Sequence, residues 1–304
     1  MAPVSNLLKI ALYFAGTLFL GALLAPPLFW AGHTLGGAFP PLGWLRATDF
    51  QRFFDRSMFL AALLLLWPTV RALRIGGWRD LGLQPDRRAW QHVAGGFLAA
   101  GGLLWLLGLL FWGLRIYTPR AHLSLGTAAG FLVSAVAVAL AEEAFFRGAL
   151  LGLARRTARP ASALIFVSAL FAVLHFLKPP PRGPDQPAVH WLSGFEFLPK
   201  VFWQWHDPLL VAGGFTTLFL VALVLGMARL RTRSLWLPIG LHAGWVFGLK
   251  SFNKISRHLS PPSLWIGDDL LHGLGPVLVV GLTGAFVWLW LARTEKPTHA
   301  SPTP

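Results

Sequence analysis

The sequence predicts an all-α fold, a polytopic bundle of about eight transmembrane helices, and three observations carry that expectation. Hydrophobic residues make up 55% of the 304 positions and charged residues only 12%, about half the charge of a soluble domain. The apolar residues fall in long runs, and lipid cannot satisfy the open edges that shorter strands would present. One crossing takes roughly 20 apolar residues, and the apolar total supplies about eight crossings.

The first run extends from Leu7 to Trp30 and reads as an uncleaved first span, since it is too long for a signal peptide and has no small-residue cleavage site. The second covers Met58 to Leu73 and the third His92 to Leu114. The fourth, Thr127 to Leu153, contains Glu142, Glu143 and Arg147. The fifth spans Pro160 to Leu177, the sixth Leu209 to Leu230, the seventh Leu235 to Phe252 and the eighth Leu274 to Leu291. Residues 31–56 mix glycine, proline and charge, and 78–91 read as a loop entering an interfacial turn. The longest connection, Lys178 to Pro208, is rich in proline and then in tryptophan, which suits the headgroup level. The tail after Arg293 is expected to be disordered. In domain terms, residues 1–125 supply N-terminal helices, 126–252 a core that holds the chemistry, and 253–304 a last helix and tail, within one membrane domain.

The 26 Lys and Arg against 12 Asp and Glu leave a formal charge of +14. On a soluble protein that balance points to nucleic acid; in a membrane bundle it points to basic loop ends beside anionic lipid, and no nucleic-acid partner is expected. Dense clusters such as Arg155-Arg156 and Arg229-Thr-Arg231-Thr-Arg233 place their connections, and both termini, on the cytoplasmic side of a bacterial-type membrane. With no cysteine, disulfides, thiolate catalysis and Cys-based metal sites are excluded.

An ionisable residue inside a span is a functional candidate because burying its charge costs about 2.5–3.5 kcal/mol on the most lenient scale. Glu143 and Arg147 stand at i and i+4 and can pair on one helix face. Glu142 lies about 100° away and is left to serve as a base. A structural salt bridge would need only one of the two carboxylates. Two span histidines, His175 and His242, are the candidate companions, although a lone histidine on an apolar helix is more often a hydrogen-bonded core residue. Phe146 and Phe171, beside these groups, are expected to line a substrate cavity. Gly95-Gly96 and Gly101-Gly102 read as helix-packing contacts.

Three motifs in this order resemble the CPBP family, which comprises the type II CAAX prenyl endopeptidases, the bacteriocin-processing and immunity proteins and the abortive-infection proteins. They read Glu142-Glu143-Ala-Phe-Phe-Arg147, Phe171-Ala-Val-Leu-His175 and Ser234-Leu-Trp-Leu-Pro238-Ile-Gly-Leu-His242. The resemblance implies an intramembrane endopeptidase of the glutamate type, acting on a membrane-associated peptide or lipidated protein. By carry-over, Glu142 takes a proton from water, His175 orients that water, Glu143 and Arg147 position Glu142, and His242 stabilises the oxyanion. The family's third motif usually continues to an asparagine four residues after the histidine; here Val246 stands there and donates nothing. Trp245, with its indole N–H, is the candidate replacement, since Asn253 lies about 16 Å further along the helix.

No cofactor is expected, with Zn²⁺ on Glu142, His175 and His242 as the alternative, because carboxylate and imidazole are suitable ligands. The functional alternatives are a non-catalytic immunity or scaffold protein of the same fold, signalled by Val246, and a proton-coupled transporter. The second lacks any inverted repeat in the sequence.

Overall fold

The structure, a computed structural model, describes residues 6–74, 77–156, 158–177, 188–259 and 269–294. It is an all-α polytopic bundle, and each of the eight apolar runs forms a helix. The helices are α1 (Asn6–Ala38), α2 (Phe50–Ala72), the short α3 (Trp78–Leu81), α4 (Ala89–Gly113) and α5 (Leu125–Glu143), which continues through a π-helical stretch (Ala144–Leu150) into α6 (Leu151–Ala154). There follow α7 (Pro160–Leu174), α8 (Ser193–Phe197), α9 (Pro208–Thr232), α10 (Trp236–Ile255) and α11 (Leu274–Thr294). The Pro/Thr-rich tail, beyond Thr294, lies outside the described residues, as does the proline-rich start of the long connection.

Six helices among the described residues are long and apolar enough to cross a membrane, which makes this a multi-pass membrane protein. The expected count of eight is approximate for two physical reasons. At 15 residues, α7 is short for a crossing. The 20 residues of α10 include His242, Lys250 and Lys254, and this helix is instead the most enclosed one, with every residue from Leu237 to Trp245 buried.

The chain divides into two compact units, Met1–Gly76 with His175–Pro208, and Gly77–Leu174 with Leu209–Pro304. In the first, α1 and α2 pack antiparallel, with Lys9 donating to the Ala72 carbonyl (2.9 Å) and Tyr13 to that of Ala62 (3.2 Å). Phe50, Phe54, Ala25 and Val201 form its core. Pro26 and Pro27 sit inside α1, a tolerated position where neighbouring helices re-satisfy freed carbonyls.

In the second unit α4 and α10 run parallel along a seam of glycines. A methyl group at Gly96 would meet the Leu241 nitrogen at 2.9 Å, and one at Gly101 the Gly244 carbonyl oxygen at 3.1 Å. From the other side, methyl groups at Gly240 and Gly244 would strike the carbonyls of Val93 and Phe97. Backbone therefore lies on backbone, the close approach that small residues permit in lipid. Of the glycines expected to pack, Gly96 and Gly101 serve this seam and Gly95 faces Trp290 of α11, while Gly102 faces open space. The helices leave the seam into a two-stranded antiparallel ribbon, β1 (Tyr117–Pro119) with β2 (Ser256–His258), in the register Thr118 to Arg257. At the opposite end, the turn after α3 is tied to the start of α10: Leu235 N–H donates to the Gly82 carbonyl (2.8 Å) and the Trp236 indole to that of Gln84 (3.0 Å).

Candidate active site

The site is built where α5 turns into the π-helical stretch and faces the buried part of α10. Ser124 caps α5 by accepting from the Thr127 N–H, and the alanine-rich body of α5 lets Ala135 and Ala139 pack on Ile239 and Ala243 of α10. That contact carries Glu143 to His242. From Ala144 the helix widens, and Phe145 through Leu150 are all buried. A π segment within an α-helix frequently marks a functional site, and nothing in the hydrophobic pattern signalled it.

The ion pair expected from spacing is present: Arg147 Nη1 donates to Glu143 Oε1 at 2.8 Å, with both side chains buried. The guanidinium also reaches the Ala222 carbonyl of α9 at 3.4 Å. Phe171 of α7 and Phe146 cover it, with ring centres 4.4 and 5.8 Å from Cζ, so one aromatic face each lies on the buried cation.

The sequence did not foresee that His242 Nδ1 meets the same Glu143 Oε1, also at 2.8 Å. A carboxylate paired with an arginine is ionised and can only accept. Nδ1 is therefore the donor to Glu143, and in the tautomer this pairing selects Nε2 is the acceptor nitrogen. That nitrogen faces Glu142 Oε2 at 3.9 Å. Glu142 is the more open of the two carboxylates, its side chain 26% exposed against 0% for Glu143. Phe171 also touches the His242 ring, centroid to centroid 6.1 Å.

Three steps along α10, the Trp245 indole N–H is buried and has no hydrogen-bond partner among the described residues. Val246 packs against the Ala135–Ala139 cluster, an apolar role for a position where the resembling motif carries an amide. His175 follows α7 directly, half-buried in a turn rather than on the helix, and belongs to the first unit. Among the described residues no group of three His, Asp or Glu side chains could hold a metal ion.

Residues 124–248, the stretch that contains α5, the π segment and the first half of α10, match the family model described as type II CAAX prenyl endopeptidase Rce1-like. This segment is Rce1-like. The match is consistent with the CPBP resemblance and likens this part of the chain to a family of membrane peptidases. No curated protein and no solved structure matches the chain. Within the Rce1-like core lie Glu142, Glu143, Phe146, Arg147, Phe171, His175, His242 and Trp245.

Proposed function

We propose that the Rce1-like core hydrolyses a peptide bond at the membrane with a water activated by Glu142. The observation that carries this reading is the shared oxygen of Glu143, which orients His242 so that its acceptor nitrogen faces Glu142. Two acceptors 3.9 Å apart leave room for one water at about 2.8 Å from each. Glu142 takes a proton from that water, the oxygen adds to the scissile carbonyl, and the C–N bond then breaks as the protonated Glu142 returns the proton to the leaving amine. If the first proton passes instead to His242 Nε2, the imidazolium becomes a donor to the oxyanion, the role implied by the resemblance. Trp245 supplies the second oxyanion donor, supported by its buried, unpartnered N–H. The resemblance implies a water-orienting role for His175, and Phe146 and Phe171 wall the site. Glu143 and Arg147 are positioning residues.

The substrate is a membrane-associated peptide or a lipidated protein, no metal or other cofactor takes part, and both termini face the cytoplasm of a bacterial-type membrane. Val246 favours a second reading, a non-catalytic scaffold of the same fold, because one oxyanion donor is worth about 10²–10³ in rate. The test is cleavage of a membrane-tethered peptide library by the full chain and its Glu142→Ala and His175→Ala variants. The protease reading expects both variants to be inactive; a wild-type chain that cleaves nothing while binding a membrane partner supports the scaffold.

A further inference from the structure

Two arginines at one end of the second unit form a site that the peptidase chemistry does not use. The helix running through α5, the π segment and α6 lies parallel to α9. Arg147 reaches the Ala222 carbonyl, and one turn later the Leu151 side chain lies 3.9 Å from where a Gly226 methyl would be. The same register carried one turn further puts Arg155 and Arg229 at corresponding positions of the two helices, near enough for the charge of Arg155 to act on that of Arg229.

Arg229 lies flat on the turn after α3. At Gly82, where φ is +84°, a methyl group would meet the guanidinium carbon at 2.7 Å, so the guanidinium rests directly against this turn. Nη2 has a single long contact to the Asp80 carbonyl, 3.5 Å, and the buried Nε has no hydrogen-bond partner among the described residues. Neither arginine forms an ion pair among the described residues.

We propose that Arg155 and Arg229 bind a phosphate group, supplied by the headgroup of an anionic lipid. Two like charges held together with an unsatisfied donor are reconciled by one anion with several acceptor oxygens, and the planar guanidinium fits phosphate in a two-point contact. The depth agrees with a headgroup: Arg155 directly follows the apolar span Leu125–Ala154, and Arg229 stands in the last turn of the span ending at Thr232. At that level a membrane offers anionic phosphates to basic side chains.

The experiment is thermal unfolding of the full chain in neutral detergent, titrated separately with dioctanoyl phosphatidylglycerol, dioctanoyl phosphatidylcholine and inorganic phosphate. Phosphatidylglycerol is expected to raise the unfolding midpoint saturably and phosphatidylcholine to leave it unmoved. Arg155→Gln and Arg229→Gln should each weaken the phosphatidylglycerol effect about tenfold, the worth of one charge-assisted hydrogen bond. Arg257→Gln, on β2 at the other end of the unit, should leave it intact. Because Arg155 is exposed, its variant folds even if that of Arg229 does not. Equal responses to the two lipids, or a phosphatidylglycerol effect untouched in Arg155→Gln, overturn the site. An equal shift with inorganic phosphate alone overturns the lipid source.

Discussion

Arg147 and His242 lie on different helices, yet both donate to one atom, Glu143 Oε1, each at 2.8 Å. A single buried carboxylate oxygen thus ties the π-helical segment to α10 and makes Nδ1 the His242 nitrogen that donates to it. The ion pair expected from local spacing is the smaller half of this arrangement, because its other half sets the direction of the imidazole toward Glu142.

Glu142 is expected to be chemically essential and structurally dispensable. Its side chain is partly open and lies outside the buried pair, so Glu142→Gln should lower the rate of peptide cleavage by about 10²–10⁴. The unfolding midpoint of the same variant should match wild type. A cleavage rate within a few-fold of wild type would remove Glu142 from the mechanism.

Glu143 is expected to behave in the opposite manner. Glu143→Ala leaves the Arg147 charge buried without a counter-ion, which costs about 3–5 kcal/mol, and chemical denaturation should register the loss. Replacing both partners with apolar residues, as in Glu143→Leu with Arg147→Met, should recover most of the stability but none of the activity, since His242 loses its orienting acceptor as well.

For Trp245, the conservative change Trp245→Phe keeps the ring and removes only the N–H. If that N–H meets the oxyanion, turnover should fall by about 10²–10³ while KM and the unfolding midpoint hold steady. Turnover unchanged in Trp245→Phe but abolished in His242→Ala would show that the indole takes no part.

The glycine seam makes a packing prediction with an internal control. Gly244→Ala presses a methyl group into the Phe97 carbonyl and should cost about 1–3 kcal/mol, together with activity, because α10 carries His242. Gly102→Ala, on the same helix pair but facing open space, should change neither quantity in an unfolding and cleavage assay.

Metal dependence has a direct measurement. Cleavage is expected to persist after exhaustive treatment with a chelator, and added Zn²⁺ should not raise it. Loss on chelation with recovery on Zn²⁺ would instead support the alternative ligand set of Glu142, His175 and His242.

Much of the fold was legible because lipid imposes a one-dimensional rule: each long apolar run became a helix, and Glu143 and Arg147 met as their spacing required. The rest depended on contacts between distant segments. Periodicity reports the apolar face of a helix without naming its partner, so the meeting of Glu143 with His242 and the placement of Gly96 against Leu241 could not be read from either helix alone. The same limit applies to Gly102, which has the composition of a packing residue and no neighbour. The ribbon pairing Tyr117 with His258 also lay beyond reach, since three-residue strands leave no alternation to detect. The fifth apolar run continues to Leu177, whereas α7 stops at Leu174, because hydropathy alone does not mark where a helix ends.

The π-helical stretch Ala144–Leu150 also has a genetic meaning. A π turn holds one residue more than the α turn it replaces, so loss of a single codon here leaves an ordinary helix to fall back on. Such a deletion would keep the span apolar and nearly as long, and because the widened turn had absorbed the extra residue, Leu151 would keep its place toward Gly226 while the residues inside the turn change face. One codon is therefore the smallest heritable change that removes the widened turn around Arg147 while sparing the helix's place in the membrane.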